Sequence, residues 1–179
     1  RETTQMGIEA SLTGHLVFST LHTNSAPESV TRLLDMGMDP FNFADALIAI
    51  LAQRLVRTLC KNCKETYHPD KSEYEALVRE YGEELFKKNV NIPYSDELML
   101  YRPVGCEQCN NTGYRGRMGI HELLVATDGI KSLITSRAPM SEIRDQAIAE
   151  GMTTLKQDGI EKIFEGHCDL VEVRKVCIK

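Results

Sequence analysis

The amino-acid sequence predicts an α/β fold, and three observations lead to this prediction. Residues 15–21 (HLVFSTL) form a short apolar run of β-forming residues between polar ones, which is typical of a strand buried on both faces in a parallel sheet. Helical patterns surround this run in the order helix, strand, helix, helix. With 42% hydrophobic and 26% charged residues among 179, the composition is that of a globular protein with one domain, or one domain and an appendage.

The elements of this α/β part are predicted in chain order. A helix over residues 3–12 ends at Gly14, and the predicted strand follows it. Ser25 and Glu28 then form an S-x-x-E capping box for a second helix, which closes at Gly37. A third helix is predicted over residues 41–51. Few residues in this stretch are polar, so the helix is expected to be well buried.

Two C-x-x-C pairs give the strongest chemical signal. Cys60 and Cys63 form one pair and Cys106 and Cys109 the other, with a long excursion between them. Two such pairs supply the four thiolates of a closed tetrahedral zinc site. The alternatives are disulfides, which suit small secreted domains, and four buried cysteines with no shared role. Because the sequence shows no apolar signal segment at its start, structural zinc is the favoured interpretation.

The excursion is predicted to be a helical arm. Ser72 and Glu75 form another S-x-x-E box, followed by apolar residues at helical spacing as far as Phe86. A short strand at residues 98–101 is expected to return to the second cysteine pair. The cysteines outside the two pairs are expected to be packed or idle thiols; they are Cys168 and Cys177.

The last third of the chain is predicted to be mostly helical. A glycine-spaced basic turn at residues 113–119 and a strand at residues 120–126 come first. Four helices follow, and Gly159 lies inside the third, where glycine costs roughly 1 kcal/mol relative to alanine, so a packing reason is expected. The first two helices are marked by Ile130, Leu133 and Ile134 and by Ile143, Ala147 and Ile148, and the last two by capping boxes at Thr154 with Gln157 and at Asp169 with Glu172.

Net charge and hydropathy bear on whether the chain binds nucleic acid and whether it spans a membrane. A formal net charge of −5 gives no electrostatic footprint for a phosphate backbone, so no nucleic-acid partner is expected. The longest candidate for a membrane span, residues 41–51, is interrupted by Asn42 and Asp45. A soluble cytoplasmic protein is therefore expected. Since the chain starts at Arg1 without an initiator Met, it is also expected to be a piece of a longer protein.

The sequence lacks the motifs of the common nucleotide-binding and hydrolytic sites. It has no Gly-Lys dipeptide, hence no G-x-x-x-x-G-K-[ST] loop, and no G-x-G-x-x-G. A G-x-S-x-G elbow is missing, and the adjacent His121 and Glu122 lack the second histidine of an H-E-x-x-H metal site.

His15 and His22 are the candidate catalytic residues, one at each end of the predicted strand. Because they are seven residues apart, an ideal strand places their side chains on opposite faces, so the strand alone does not make them a pair. Each also fits a structural histidine held by hydrogen bonds. His22 is favoured because it lies at the carboxyl end of the strand, where open α/β sheets bind ligands.

Four arginines bracket the cysteine pairs in sequence. A zinc ion with four thiolates carries a formal net charge of −2, so these arginines can balance the metal site. They can instead reach an anion such as phosphate, and the sequence leaves both interpretations open. The arginines are Arg54, Arg57, Arg115 and Arg117.

Five motifs, spread over essentially the whole chain, resemble one family. They are ASLTGHLVFSTLHTN, LLDMGMDPF, LAQRLVRTLCKNC, CEQCNNTGYRGRMGIHELL and GMTTLKQDGIEKIFEGHCDLVEVRKV. In this order they resemble the C-terminal part of the secretion ATPases that drive type II secretion and type IV pilus assembly (GspE/PilB-like). The similar ATPases that retract pili lack the tetracysteine arm, so the resemblance indicates an assembly or secretion motor.

The resemblance implies a hexameric motor with a RecA-like (AAA+-type) core that hydrolyses ATP with Mg. On this pattern residues 1–59 are the C-terminal portion of the core, residues 60–109 the zinc-binding tetracysteine arm, and residues 110–179 the return strands and a C-terminal helical subdomain. The implied partners are the protein's own upstream ATPase and N-terminal domains, identical subunits, and an inner-membrane platform protein. The implied location is cytoplasmic and peripheral to the inner membrane.

The resemblance also assigns roles to residues. The family's histidine box corresponds to residues 10–24, so His15 and His22 would act near the γ-phosphate, and Arg117 falls where the family places a basic residue near nucleotide. The Walker A loop, acidic box and Walker B glutamate of the family lie upstream of the matching region. The chain alone is therefore expected neither to bind ATP tightly nor to hydrolyse it. The family's zinc ligands correspond to Cys60, Cys63, Cys106 and Cys109.

The alternative from a different class is a zinc-bearing binding module. Residues 106–113 read C-x-x-C-x-x-x-G, close to the zinc-binding repeat of heat-shock co-chaperones, and a glycine and arginine turn beside a metal can contact nucleic acid. Those chaperones repeat the motif with glycines at fixed offsets, whereas the residues after Cys63 include no such glycine. The acidic charge balance also argues against nucleic acid.

Overall fold

The computed structural model describes residues 2–177, which form two compact units. The first unit contains the residues up to Ala52 together with Glu122–Thr154. The second contains Gln53–His121 together with the residues from Leu155 onward. Within residues 2–177, no helix has both the length and the apolar character needed to cross a membrane.

Helices and strands both occur along the described chain, so the predicted α/β class is confirmed. In chain order the elements are α1 (Glu2–Leu12), α2 (Ala26–Asp35), α3 (Pro40–Ala46), β1 (Ala49–Leu59), β2 (Glu65–Tyr67), α4 (Lys71–Tyr81), α5 (Glu83–Asn89), β3 (Leu100–Arg102), a 3-10 turn (Glu107–Cys109), β4 (Tyr114–Val125), α6 (Asp128–Thr135), α7 (Met140–Ala149), α8 (Leu155–Phe164) and α9 (Leu170–Val176). β1 pairs with β4, and β2 pairs with β3 in antiparallel register.

The first unit is built mainly from helices around an apolar core. α3 packs on α1 and α6, and α7 packs on α2 and α6. The inward side chains of these helices supply most of the core, as their apolar spacing predicts. The buried core residues are Ala26, Val30, Leu34, Phe43, Ala44, Leu124, Ile130, Ile134, Ile143, Ala147 and Met152.

α2 begins at the predicted capping box. Ser25 Oγ accepts the backbone N–H of Glu28 at 3.2 Å, which satisfies one of the open amides of the first turn. The Glu28 carboxylate accepts the N–H of Asn24 at 2.9 Å, so the return bond goes one residue further back than predicted. Gly37, with φ +85°, follows the helix, and this matches the predicted end.

The strand predicted at residues 15–21 is wrong. These residues belong to no strand of the described chain, in which the paired strands are β1 with β4 and β2 with β3. Their side chains are exposed, and Phe18 keeps 89% and Leu16 69% of its accessible surface. A strand needs a neighbour for its backbone N–H and C=O groups, and none of the described strands takes that place.

The helix predicted over residues 41–51 ends too late. α3 starts after Asp39, whose carboxylate accepts the N–H of Asn42 at 2.9 Å, and β1 begins three residues after α3 ends. Exposure alternates along β1 as it does in a half-buried strand, and Leu51 is 57% exposed. A run of apolar residues has no period that separates a buried helix from a strand, so composition alone misplaced this boundary.

The second unit packs the arm onto the C-terminal helices. α4 contacts α5 and α8, and α8 contacts α9 and β3. α4 is capped by Asp70, whose carboxylate accepts the N–H of Glu73 at 2.8 Å, so the predicted box at Ser72 and Glu75 lies two residues too far along. The largest buried apolar side chains of this unit include Leu77, Tyr81, Phe86, Leu100, Ile160, Ile163 and Val173.

The glycine-spaced turn predicted at residues 113–119 is wrong, because β4 runs through it. The strand predicted at residues 120–126 is the second half of β4, and the short strand predicted at residues 98–101 overlaps β3. Gly113 has φ +79°, and a Cβ built there would lie 2.5 Å from the Cβ of Pro103. The glycine permits a close approach of two backbones rather than a reversal of the chain.

The four predicted C-terminal helices are confirmed as α6 to α9. Asp169 begins α9 by accepting the N–H of Glu172 at 3.0 Å, as the capping signature predicts. In α8, a Cβ at Gly159 would lie only 2.6 Å from Cγ1 of Val173 in α9. The packing reason expected for Gly159 is therefore the close contact of α8 with α9.

Substituting Gly159→Ala is expected to destabilise the chain by about 1–3 kcal/mol, because overpacking outweighs the gain of roughly 1 kcal/mol in helix propensity. Val173 is fully buried and β-branched, so it has little freedom to move away. Urea unfolding followed by circular dichroism measures the change. In the double variant G159A/V173A, the loss should be smaller than the sum of the two single losses. A G159A chain as stable as the unaltered one contradicts the expectation.

Candidate functional site

The four paired cysteines come together in the second unit. One ligand atom from each lies within 4.8 Å of the others. The Sγ–Sγ distance is 3.9 Å between Cys60 and Cys106, and 3.8 Å from Cys109 to both Cys63 and Cys106. A tetrahedral zinc ion with Zn–S bonds near 2.3 Å requires sulfur atoms about 3.8 Å apart. The donor set therefore fits a closed four-thiolate zinc site.

Local backbone structure brings the two pairs together. The Cys60 N–H donates to the carbonyl of Gly113 at 2.9 Å, which places the first pair beside the start of β4. The second pair sits on the 3-10 turn, which Asn110 closes in a left-handed conformation with φ 51°. At Gly105, φ is +123° and a Cβ would lie 2.9 Å from the carbonyl oxygen of Asn111. Glycine is required there for the chain to enter the second pair.

Backbone N–H groups point at two of the sulfur atoms. Cys109 Sγ accepts the N–H groups of Cys106 and Gly113, each at 3.2 Å, and Cys63 Sγ accepts the N–H of Gly105 at 3.3 Å. Burial raises the pKa of the Cys109 thiol, but its hydrogen bonds from the two N–H groups and from the thiols of Cys106 and Cys63 together lower the pKa to about 6. Burial raises the pKa of Cys63 to about 11 despite its single donor. The surroundings of Cys109 thus favour its thiolate form, whereas those of Cys63 do not.

The six cysteines of the described chain are all free thiols, which does not favour the disulfide alternative. Cys168 is fully buried, and its Sγ lies 3.8 Å from the carbonyl oxygen of Gly159. Burial raises the pKa of Cys168 to about 12, so this thiol is a packed and unreactive side chain. Cys177 is half-buried.

The base of the arm is joined to the end of α8. Lys64, just after the first cysteine pair, donates from Nζ to the carbonyl of Gly166 at 2.7 Å and lies 4.1 Å from the ring centroid of Tyr101. The Leu59 N–H donates to the carbonyl of His167 at 2.9 Å. The residues on either side of the first cysteine pair therefore join the end of β1 and the base of the arm to the chain after α8.

An ion pair with a buried carboxylate also lies in the second unit. Arg57 donates to both carboxylate oxygens of Glu172, at 3.0 and 2.8 Å, and Lys175 donates to the same carboxylate at 2.7 Å. The Glu172 side chain is 5% exposed, and its bonds to Arg57 lower its pKa to about 2. Arg57 also stacks over the ring of Tyr114, whose hydroxyl donates to Asp169. The sequence did not predict this network, because Arg57 and Glu172 are far apart in the chain.

The other arginines beside the cysteines differ in their surroundings. Arg115 donates to the side-chain oxygen of Gln108 at 3.0 Å, and Gln108 also accepts from Asn62, so Arg115 supports the two cysteine turns. Arg54 donates to the carbonyl of Gln53 at 3.2 Å. Arg117 is exposed on β4.

The candidate histidines lie in the first unit, on residues 15–25, hereafter the histidine segment. His15 and His22 are both exposed. His15 Nδ1 lies 3.1 Å from the carbonyl oxygen of Ala10 and 3.3 Å from Thr13 Oγ1, which suits a histidine held by local hydrogen bonds. At the other end of the segment, the hydroxyl of Thr23 is 2.5 Å from that of Ser29.

In the first unit, the buried carboxylate of Glu122 binds the start of α2. The Glu122 side chain is 4% exposed, and its Oε1 accepts the backbone N–H of Ala26 at 2.8 Å. The sequence offered one signal for it: the alternation of β4 places residue 122 on the buried side, where a carboxylate needs a partner. The contact joins residues 96 positions apart in the chain, so no local motif predicts it.

Comparison with known proteins identifies relatives along nearly the whole chain. The model of the family described as "Type II/IV secretion system protein" matches residues 1–175. The type II secretion system ATPase E of Vibrio cholerae is 46% identical over 98% of this chain and 32% of its own length. The type IV pilus assembly ATPase PilB of Thermus thermophilus is 43% identical over 96% of this chain and 18% of its own length. The chain thus spans about a third or less of these two relatives.

A solved structure supports the fold. The crystal structure of the pilus retraction motor PilT with bound ADP superposes with a TM-score of 0.59 over 98% of this chain and 36% of that one, at 19% identity. At this identity the likeness concerns the fold alone. The family model and the relatives carry the assignment, and they confirm the resemblance drawn from the five motifs. This chain belongs to the type II/IV secretion system protein family.

Proposed function

We propose that this chain is the C-terminal part of an ATPase motor that powers type II protein secretion or type IV pilus assembly. The observation that carries the proposal is the 46% identity to the type II secretion system ATPase E of Vibrio cholerae across 98% of the chain. Pilus assembly ATPases of Acinetobacter baylyi and Thermus thermophilus are 42% and 43% identical over a similar span, so both machines stay within the proposal. The chaperone-like or nucleic-acid-binding module has no comparable support.

In this proposal the tetracysteine site holds a structural zinc ion. Its four thiolates leave no coordination position for water or substrate, so the ion stabilises the arm and takes no part in hydrolysis. Residues 1–59 would complete a RecA-like core, residues 60–109 would form the zinc-bearing arm, and residues 110–179 would contain the return strand and a C-terminal helical subdomain. The contacts of Lys64 and Leu59 with the end of α8 support a clip that orients the arm.

The proposed roles in hydrolysis fall on exposed residues. His15 and His22 would face the γ-phosphate of ATP bound with Mg by the upstream part of the motor, and Arg117 would approach the nucleotide from β4. Exposure of all three side chains is consistent with groups that await a ligand. The complete motor would be a homo-hexamer in the cytoplasm, peripheral to the inner membrane, that pushes on a platform protein.

The chain alone is expected to show no ATP hydrolysis above background, because it contains no G-x-x-x-x-G-K-[ST] loop to hold the phosphates. When this chain replaces the matching region of the Vibrio cholerae ATPase, the resulting fusion should release phosphate from ATP. A His22→Ala fusion should lose most of that activity, since positioned polar groups at a reacting phosphate typically contribute factors of about 100 or more.

Phosphate release is measured side by side for the isolated chain, its His22→Ala variant, the fusion and the His22→Ala fusion. The Cys177→Ser fusion is the matched control, because that residue lies outside every proposed site. Turnover by the isolated chain above its own His22→Ala variant would overturn the prediction that the chain is inactive alone. A folded fusion that never hydrolyses ATP would overturn the proposed motor function.

A further inference from the structure

We propose that Glu122 is a positioning residue that fixes the carboxyl end of the histidine segment, and with it His22. The carboxylate does so through the first amide of α2. The inference rests on the proposed function only for what His22 then acts on. The geometry itself concerns residues of the first unit, without any nucleotide.

Glu122 reaches α2 from a distant part of the sequence. Its carboxylate is buried, and its Oε1 accepts the N–H of Ala26 at 2.8 Å across 96 residues of chain. Ala26 is itself fully buried at the start of α2. A charged acceptor at a helix N-terminus is favoured both by the hydrogen bond and by the helix dipole. The bond is therefore a strong link between β4 and the start of α2.

Within the first turn of α2, the backbone N–H of Ala26 is left for an acceptor from a distant part of the chain. Pro27 carries no N–H, and the N–H of Glu28 is taken by Ser25 Oγ. The amide of Ala26 is the remaining donor at the very start of the helix, and Glu122 occupies it. Ser25 therefore caps the helix locally, while Glu122 sets where the capped end lies relative to β4.

His22 stands four residues before the amide that Glu122 binds. Between them, Thr23 bonds to Ser29, and the N–H of Asn24 bonds to Glu28, so the turn moves as one piece with the start of α2. A shift of that start would carry His22 with it. A positioned group loses effectiveness with displacements of about 1 Å, so an anchor of this kind matters for any chemistry at His22.

Three substitutions of Glu122 distinguish the effect of its side-chain length from the effect of its negative charge. Glu122→Gln keeps an oxygen acceptor at the same reach, Glu122→Asp keeps the charge on a side chain one methylene shorter, and Glu122→Ala removes both. Glu150→Gln is the matched control. Glu150 accepts hydrogen bonds from Thr127 and Gln146 in the same unit, and neither of these residues lies on α2.

Residue-resolved amide hydrogen exchange by NMR on the 179-residue chain is the measurement. In the Asp and Ala variants the Ala26 amide should exchange at least about tenfold faster, and in the Gln variant within about threefold of the unaltered chain. The ring signals of His22 should shift in the Asp variant and stay in place in Glu150→Gln. Amides at the centre of α6, such as Ile134, should keep their protection in every folded variant.

Each result decides for or against the anchor. If the Ala variant fails to fold, the exchange rates of the Ala26 amide in the Asp and Gln variants still decide. The amide must exchange more slowly in the Gln variant than in the Asp variant. Unchanged exchange of Ala26 in the Asp variant overturns the proposal, and so do His22 ring signals that stay in place in that variant. An equal rise in exchange at Ile134 also overturns it, because that would indicate a general loss of stability. Neither result bears on the fusion activity, so failure here is distinct from failure of the motor function.

Discussion

Replacing Cys106 with serine is expected to lower the melting temperature of the chain by more than about 10 °C. Structural zinc contributes on the order of 10–16 kcal/mol of apparent binding free energy in small zinc domains. Even a third of that corresponds to roughly 10 °C or more for a chain of this size. The sulfur of Cys106 lies 3.9 Å from that of Cys60 and 3.8 Å from that of Cys109, so the substitution removes one of the four proposed zinc ligands. Thermal unfolding followed by circular dichroism measures the effect.

The control for this variant is Cys177→Ser, which removes a half-buried thiol outside the quartet. It should melt within about 2 °C of the unaltered chain, because the change from thiol to hydroxyl is small and the residue is only half-buried. Addition of a strong chelator should lower the melting temperature of the unaltered chain and leave that of Cys106→Ser almost unchanged. Equal melting temperatures for the Cys106→Ser chain and the unaltered chain contradict a structural role for the four cysteines.

Replacing Arg57 with methionine is expected to destabilise the chain by about 2–3 kcal/mol at pH 7, because the buried carboxylate of Glu172 loses its guanidinium partner. This loss is smaller than that of a fully buried pair, because Lys175 still bonds the carboxylate and the Arg57 side chain is 45% exposed. The matched control is Arg102→Met, which breaks the exposed pair with Glu65 and should cost at most about 1 kcal/mol. Urea unfolding of both variants gives the comparison, and equal losses contradict it.

The same ion pair predicts a pH dependence. The pKa of Glu172 is about 2 in the folded chain and roughly 4.3 in an unfolded one. A lowered pKa contributes stability that is complete above about pH 5 and is lost as the pH falls through 4.3 toward 2. The stability difference between the unaltered chain and Arg57→Met should shrink over that range. A difference that stays constant from pH 6 to pH 3 contradicts the assignment.

Local chemistry explains what the sequence predicted well. Ser25 and Asp169 were identified as helix caps because a short polar side chain before an apolar stripe satisfies the open amides of a first turn. The cysteine quartet was predictable because the spacing of each pair brings two thiolates to one side of a turn. Gly159 was predictable because glycine inside a helix is costly unless another element packs against it.

What failed depends on partners distant in sequence. Residues 15–21 have the composition of a strand, but a strand forms only beside another, and the described chain does not place one there. Arg57 and Glu172 are joined across 115 residues, and Glu122 and Ala26 across 96. No local pattern records such pairs. For Arg57, the two interpretations left open by the sequence, a neighbour of the metal site or an anion ligand, are replaced by a carboxylate partner.

The metal content of the purified, untagged chain tests the central claim that four cysteines hold a structural zinc ion. Mass-spectrometric metal analysis after gel filtration should find about one zinc per chain, and about none in a Cys60→Ser/Cys106→Ser variant. A folded chain without zinc would contradict the claim. So would a double variant that keeps a full equivalent of the metal.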